Sequence, residues 1–429
     1  MSIVLKFKVV ALLMCLLLCS FSSHGQPATP APPAGMAFDV ESATRTYLNR
    51  LSQEQRAKSD AYFEGGYWIQ LWQFLNGLLI AWLLLGTSAS ARMRDLTRKI
   101  TRFKPLHTAG YGVLYFLASA LLSFPLSLYT DFFREHQYGM ATNTLGDWML
   151  DWCKGLILTL VFGSLFLVVL MAVVRRLPRI WPAAGAAVTM MFLILGAVIA
   201  PVYISPIFNA YKPLSDHKIL DPILRLARAN GIPADRVYEM DASRQTTRIS
   251  ANVSGMLGTT RITLNDNLLQ RCSLPEIEAV MAHEMGHYAL NHVYKMILFF
   301  GVVVVIGFYL LRWSLQSLFD RYKHKWNIQD PADVATFPLV VVLFSAYMLV
   351  LTPAINTFIR VQESEADIFG LNAARQPDGF AEAALKLADY RKMAPGPVEE
   401  FLFYDHPSGR TRIRMAMTWK AENLSSSTP

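Results

Sequence analysis

Residues 273–287 read SLPEIEAVMAHEMGH, and the rest of the chain can be interpreted outward from this stretch. Ser273 and Glu276 form a capping box, and Pro275 stands just inside the helix that the box begins. The helix is predicted to continue through His287. Most residues between the cap and the first histidine are Ile, Val, Ala or Met, so we expect a buried helix.

The end of this helix carries His283, Glu284 and His287. Two histidines four residues apart project from one helix face and can hold one zinc ion, while the glutamate between them can act as general base for an attacking water. Paired surface histidines are the alternative interpretation. The apolar helix disfavours it, because buried imidazoles beside a carboxylate need a partner, and zinc supplies one.

A catalytic zinc takes three protein ligands and keeps one open position. Val293 stands where the metzincin pattern needs its third histidine, so that pattern is excluded, and His292 is interpreted as a membrane-interface residue. A second helix offers carboxylates instead. Glu363 and Asp367 share a face, whereas Glu365 points about 200° away. One of the pair can bind zinc and the other can orient a ligating histidine; a solvated acidic face is the alternative.

A third polar element lies near the C-terminus, where Asp405, His406 and Pro407 are followed by Arg412. An imidazole and a guanidinium close to zinc could stabilise the oxyanion of a tetrahedral intermediate. The alternative is a basic C-terminal helix that is only solvated or lipid-facing.

The chain has 429 residues, of which 53% are hydrophobic and 17% charged. A soluble domain has about 25% charged residues, so several membrane spans are expected. Residues 1–25 have the layout of a secretory signal or a first span, and residues 26–35 form a Pro/Ala linker. Six further apolar segments approach the roughly 20 residues that a span requires. They are 67–86, 108–128, 155–174, 180–204, 293–313 and 336–356.

The charges of the connecting loops predict an orientation in the membrane. Loops 87–107, 175–179 and 312–335 hold thirteen Lys and Arg residues, against six in loops 26–66 and 129–154. The positive-inside rule places the first three loops in the cytoplasm. The two large polar blocks, residues 205–292 and 357–429, are then expected to form one soluble part on the opposite side.

The soluble part is predicted to be α+β. Short β-type runs at 236–240, 247–253 and 260–264 precede the histidine-bearing helix. The whole chain is then divided into four parts. They are a signal peptide or first transmembrane helix (1–25), a linker and N-terminal loop (26–66), transmembrane helices (67–204), and a zinc metallopeptidase domain that includes two further spans (205–429).

Six groups of residues, in this order and spacing, resemble the type I CAAX prenyl protease family, integral-membrane zinc metalloproteases of the gluzincin kind. The resemblance extends over roughly residues 39–417. The groups are Tyr138-Gly139, ISPIFN at 204–209, SANVSG at 250–255, HEMGH at 283–287, Arg360 with ESEAD at 363–367, and His406-Pro407 with Arg412.

The resemblance implies a mainly α fold, a polytopic bundle of about seven spans that encloses a chamber, with a zinc-protease domain containing a small β-hairpin or sheet. It also implies one zinc ion held by His283, His287 and Glu363, with Glu284 as general base. Four further residues receive implied roles. Asp367 is the second acid, orienting a ligand or assisting proton transfer; Asn252 lies on an edge strand that pairs with substrate; His406 and Arg412 line the cleft.

The leading hypothesis is a membrane-embedded zinc endopeptidase that cleaves extended peptides, with CAAX-type C-terminal processing implied by the resemblance. Its partners would be peptides with or without a prenyl group, and membrane lipid. A quality-control membrane protease of the heat-shock type is the first alternative, and a non-enzymatic membrane protein with a structural metal site is the second. The net charge of +8 lies mainly in membrane-flanking loops, so no nucleic acid is expected as a partner.

Localisation is predicted as a multi-pass protein of the plasma or inner membrane. Loop charge puts the active site on the non-cytoplasmic side, whereas the resemblance implies the cytoplasmic side. The two expectations concern the orientation and leave the chemistry of the site unchanged.

Overall fold

The computed structural model describes residues 38–255 and 260–424. The predicted signal or first span at 1–25 and the Pro/Ala linker at 26–35 lie outside the described residues. The described part is mainly helical with one small sheet, as predicted.

Six helices in the described part are long and apolar enough to cross a membrane. They are α2 (Gln53–Gly86), α4 (Lys104–Gln137), α5 (Leu145–Arg176), α6 (Trp181–Phe208), α10 (His292–Trp326) and α11 (Val334–Ala374). Each corresponds to one of the six predicted apolar segments, and all of them are longer than predicted. The difference arises because the helices continue into the polar loops and blocks beside each segment, where apolar content no longer marks them.

The described residues also form eight shorter α-helices and two 3₁₀ helices, Ala242–Arg244 and Leu387–Asp389. The shorter α-helices are α1 (Val40–Leu48), α3 (Ala89–Ile100), α7 (His217–Ala229), α8 (Asp266–Arg271), α9 (Leu274–Ala289), α12 (Pro377–Lys386), α13 (Pro397–Phe403) and α14 (Gly409–Asn423). Helix α9 is the predicted histidine-bearing helix, and α11 carries both the last span and the predicted acidic face.

The four strands form one mixed sheet in the order β1-β2-β4-β3. They are β1 (Tyr211–Pro213), β2 (Val237–Met240), β3 (Ala251–Ser254) and β4 (Arg261–Asn265). Strands β2 and β4 are parallel, while β1 and β3 pair antiparallel with β2 and β4 respectively. Strand β3 therefore forms one edge of the sheet.

Two features of this sheet differ from the sequence-based expectation. Strand β1 was not predicted, and the run 247–253 becomes a strand only from Ala251 onward. Side-chain amides explain the late start, because Asn265 and Asn267 donate hydrogen bonds to the backbone oxygen of Arg248 at 2.8 and 3.1 Å. These bonds satisfy the Arg248 backbone oxygen, which then needs no hydrogen bond to a neighbouring strand.

The three basic loops lie together at one end of the spanning helices. Arg94 Nη1 donates to Asp333 Oδ2 at 2.8 Å, and Arg312 Nη1 donates to the backbone oxygen of Arg179 at 3.0 Å. These contacts join all three loops that the charge count had grouped.

The two less basic loops lie at the other end, where they contact the polar blocks. Arg248 Nη2 donates to Glu135 Oε2 at 2.6 Å, and Lys392 Nζ donates to Glu64 Oε1 at 2.6 Å. The two predicted polar blocks therefore lie together at this end of the spanning helices.

The core of this part packs the sheet against α9. Ile262 and Leu264 of β4 and Met281 and Met285 of α9 lie in one buried cluster. The burial of these four side chains fixes which face of α9 is turned away from the sheet. That face carries the histidines.

Candidate metal centre

Helix α9 begins as the sequence predicts, with the backbone N–H of Ser273 donating to Glu276 Oε2 at 2.5 Å. The helix packs closely against α11 because both carry a glycine at the contact. A methyl group on Gly286 would lie 3.1 Å from Ala366 Cα, and one on Gly370 would lie 2.9 Å from the His283 backbone nitrogen. The absence of these side chains brings the acidic face of α11 within reach of the histidines.

Three side chains that can bind a metal meet at this contact and form a triangle. His283 Nε2 lies 3.2 Å from His287 Nε2 and 3.3 Å from Glu363 Oε2, and His287 Nε2 lies 3.4 Å from Glu363 Oε1. A tetrahedral zinc ion with bonds of about 2.0–2.1 Å requires ligand atoms roughly 3.3 Å apart. The buried Glu363 Oε2 also lacks a hydrogen-bond partner, as expected of an atom reserved for a metal. The donor set therefore fits zinc.

This triad is the one group of three or more potential metal ligands in residues 38–255 and 260–424. Three protein ligands and an open fourth position are typical of a catalytic site, whereas structural zinc sites have four protein ligands. The interpretation of the site as a purely structural metal centre is therefore disfavoured.

Asp367 lies behind His283, one helical turn after Glu363. Its Oδ1 is 2.7 Å from His283 Nδ1, and its carboxylate also accepts from Arg412 Nε at 2.9 Å and Nη2 at 2.5 Å. Asp367 is fully buried and Arg412 is almost so. Of the predicted pair on one face of α11, Glu363 thus belongs to the group that could hold a metal ion, and Asp367 contacts one of the histidines of that group.

His406 lies beside Glu363 at the metal-ligand group. Its Nε2 is 3.2 Å from Glu363 Oε2, and its Nδ1 is 2.8 Å from Asp405 Oδ1. Arg360 fixes the segment that precedes it, since its guanidinium donates to the backbone oxygens of Glu400, at 2.8 Å, and of Tyr404. His406 is therefore held close to any group bound at the open position.

Arg412 lines the same cavity, but both guanidinium nitrogens that face Asp367 are engaged with it. Of the two predicted oxyanion stabilisers, Arg412 is thus held by Asp367, whereas the His406 ring lies beside Glu363.

A cavity of about 260 Å³ adjoins the triad. His283, Glu284 and His406 are among its polar lining residues, and Phe380 and Leu387 are among its apolar ones. Ala251 of β3 and the two residues before it also line the cavity. An extended chain could enter between β3 and these polar residues.

Asn252 is exposed on β3, at the free edge of the sheet. The Asn265 N–H donates to the Ser250 oxygen at 3.0 Å, so by antiparallel alternation the backbone of Asn252 faces β4 as well. Among the described residues, the backbone groups that point away from β4 at this edge are those of Ala251 and Val253. The predicted edge strand is confirmed, but its pairing groups are the neighbours of Asn252.

The protonation states of the α9 side chains follow from burial and neighbouring charge. Burial raises the pKa of Glu284 to about 7, and burial lowers the pKa of His287 to about 4. Burial also acts to lower the pKa of His283, but Asp367 and Glu363 outweigh it and raise that pKa to about 9. A metal ion must therefore displace a proton from His283 at neutral pH, whereas His287 is already neutral.

The sequence does not predict the contacts of three residues near the site. His292 is buried rather than at a membrane interface, with Nδ1 2.8 Å from His287 Nδ1 and Nε2 3.0 Å from Glu365 Oε2. Lys295 Nζ donates to the same Glu365 oxygen at 2.7 Å. Helical spacing could not reveal these contacts, because α9 ends at Ala289 and the chain turns before α10.

Two family models match consecutive parts of the chain. The N-terminal CAAX prenyl protease model with five membrane helices matches residues 41–210, and the peptidase family M48 model matches residues 213–420. The chain belongs to peptidase family M48. It is an integral, multi-pass membrane metalloprotease, and its His-His-Glu triad is the metal-binding group of this M48 peptidase.

Several curated proteins are similar to this M48 peptidase. The uncharacterized metalloprotease YhfN of Bacillus subtilis is 27% identical, over 80% of this chain and 82% of that protein. CAAX prenyl protease 1 of Saccharomyces cerevisiae is 28% identical, over 69% and 68%. The human CAAX prenyl protease 1 homolog is 24% identical, over 91% and 89%.

The crystal structure of S. mikatae Ste24p has the same fold. Its TM-score is 0.74 at 21% identity, with 88% of this chain and 94% of that chain covered. The resemblance stated from the sequence is confirmed at the level of family and fold.

Proposed function

We propose that this protein is a zinc-dependent endopeptidase that binds an extended peptide along the free edge of β3. The proposal rests on one observation. The edge strand β3, Glu284 and the metal-ligand triangle all border the same cavity. Ala251 and Val253 offer the backbone groups for strand addition, and the exposed amide of Asn252 is available to the peptide's own polar groups. Main-chain pairing of this kind holds a scissile bond in register without demanding a particular side chain.

Zinc held by His283, His287 and Glu363 would polarise the scissile carbonyl and make the attacking water more acidic. Glu284 accepts the proton of that water and passes it to the leaving nitrogen. Its pKa near 7 suits both halves of this transfer at neutral pH. His406, whose Nδ1 lies against Asp405, places its ring beside the oxygen on which negative charge develops.

Asp367 acts at a distance from the peptide in this proposal. With Arg412 it holds the His283 ring, so it orients a ligand rather than transferring a substrate proton. Of the two roles implied for the second acid, its contacts favour this one.

For the substrate, we propose CAAX-type C-terminal peptides as the first candidate, because several similar proteins bear the name CAAX prenyl protease 1. Prenylated tails are made in the cytoplasm, so this candidate requires a site that faces the cytoplasm. Hydrolysis next to a membrane also suits a peptide that carries a lipid.

The second candidate is quality-control cleavage of membrane or exported proteins. It is favoured by the basic loops, which lie at the end of the molecule remote from the metal centre. By the positive-inside rule that end faces the cytoplasm, and the metal centre then faces away, in the plasma or inner membrane.

A matched pair of peptides tests the proposal and separates its candidates. A farnesylated peptide and its unprenylated twin are incubated with the full-length protein in detergent, before and after metal chelation. We expect cleavage that chelation abolishes and added zinc restores. A strong preference for the farnesylated peptide supports the first candidate, and equal rates support the second. Cleavage that persists without metal would contradict the proposal.

A further inference from the structure

His292 occupies an unusual place for the first residue of a membrane-spanning helix. It is 97% buried, and it reaches the metal centre because Asn291 adopts a left-handed conformation, with φ of 57°, between α9 and α10. This turn brings the His292 ring within 5.0 Å of the His287 ring, centroid to centroid, at an angle of 72°.

The hydrogen bonds of His292 form a chain in which each proton has one possible place. His287 directs Nε2 to the metal triangle, so its Nδ1 carries the proton. That N–H donates to His292 Nδ1 at 2.8 Å, which must accept. His292 therefore carries its proton on Nε2 and donates it to Glu365 Oε2 at 3.0 Å. Lys295 donates to the same oxygen.

The two zinc-ligating histidines are thus supported in different ways. His283 lies directly against the buried Asp367–Arg412 pair. His287 meets a neutral imidazole, and the ion pair behind that imidazole is half exposed, with 44% of each side chain accessible. An exposed ion pair contributes little by itself. The orientation of His287 consequently depends on the buried ring of His292.

We infer that His292 is a positioning residue, which holds His287 in the tautomer and ring plane that present Nε2 to zinc, with Glu365 as its own anchor. The inference rests on the proposed zinc site. Partners of this kind typically change metal affinity by about 10–100-fold when they are removed. Helical geometry turns Glu365 away from zinc. Glu365 nevertheless acts on the metal centre, because it anchors His292, and His292 positions the ligand His287.

The test measures zinc affinity by competition with a chelator, using full-length protein in detergent. His292→Phe keeps a ring but removes both nitrogens, and we expect about 10–100-fold weaker zinc binding. His292→Gln retains an amide oxygen that can accept from His287, and it should recover most of the affinity. His107→Phe is the matched control, since His107 is equally buried but lies at the basic end, and its zinc affinity should equal that of the parent.

Two further measurements separate positioning from a general loss of structure. The metal-free His292→Phe protein should unfold at the temperature of the metal-free parent, and its cobalt-substituted form should show a changed absorption spectrum. Glu365→Leu changes a more exposed position and should weaken zinc binding less than His292→Phe does. It therefore tests the inference even where His292→Phe does not fold. Parental zinc affinity and cobalt spectra in both variants would overturn the inference. A parent chain that binds no zinc would instead refute the proposed function.

Discussion

At the scale of single residues, the metal centre depends on which charges are buried together. Asp367 is a fully buried carboxylate, and it is tolerated because Arg412 and His283 both face it. Removing one member leaves a buried charge without its counter-ion, which is more costly than losing a surface pair. The same change also frees the His283 ring to turn.

Asp367→Asn should therefore have two separable effects. We expect zinc affinity to fall about 10–100-fold, and the free energy of unfolding of the metal-free protein to fall by about 3–5 kcal/mol. Zinc competition and denaturant unfolding measure the two. Asp389→Asn is the control, because Asp389 forms an exposed pair with Arg271 at 2.6 Å and should cost no more than about 1 kcal/mol. Equal effects of the two substitutions would contradict this account of Asp367.

At the scale of elements, the site is a product of the contact between α9 and α11. Neither helix holds a complete ligand set, and the glycines at the contact set the distance between them. Since zinc tolerates little variation in bond length, a small displacement of one helix should weaken zinc binding.

Gly370→Ala tests the role of this contact. Its new methyl group would lie 2.9 Å from the His283 backbone nitrogen, so α11 must move away. We expect a loss of about 1–3 kcal/mol of stability together with weaker zinc binding. Gly301→Ala in α10 is the matched control, because its methyl group would meet only Met190 Cε at 3.9 Å. That variant should be neutral or slightly stabilising, as Ala favours the helix. Undiminished zinc affinity in Gly370→Ala would argue against the helix contact as the determinant.

The elements also show how far the sequence determines the structure by itself. The capping box of α9 and the i, i+4 pairs of both helices are local signals, and they predict His283, His287 and the pair Glu363 and Asp367 as candidate site residues. Only the family resemblance assigns Glu363 rather than Asp367 as the metal ligand. The three-residue strand β1 contains Pro213 and has no such signal, because it exists only through pairing with β2. The contact between His292 and His287 has no local sequence signal either, since it arises from a turn at Asn291 that no periodicity predicts.

At the scale of the whole molecule, the charge distribution divides the chain into two ends. The basic loops contact one another at one end, and the sheet and metal centre lie at the other. The sequence predicts this division, because loop charge is a property of composition. Which end faces the cytoplasm depends on the membrane and on insertion, so it stays a prediction.

A reporter fused after residue 429 tests this orientation in intact cells. We expect the reporter on the non-cytoplasmic side, because the three basic loops favour the cytoplasm. A reporter inserted in loop 312–335 serves as the control and should give the opposite signal. A cytoplasmic reporter at residue 429 would reverse the predicted orientation, and it would favour CAAX-type substrates over exported ones.

The central claim is that Glu284 acts as a general base beside a zinc ion held by the triad. Glu284→Gln removes the base but none of the ligands, so zinc content should remain at one ion per chain while peptide cleavage falls by about 10²–10⁴-fold or more. Glu278→Gln, in the same helix but without contact to the triad, controls for the substitution and should cleave at the parental rate. Zinc content and cleavage rate, measured on the same purified sample, decide the matter. A Glu284→Gln protein that holds zinc and cleaves as fast as the parent would contradict the account.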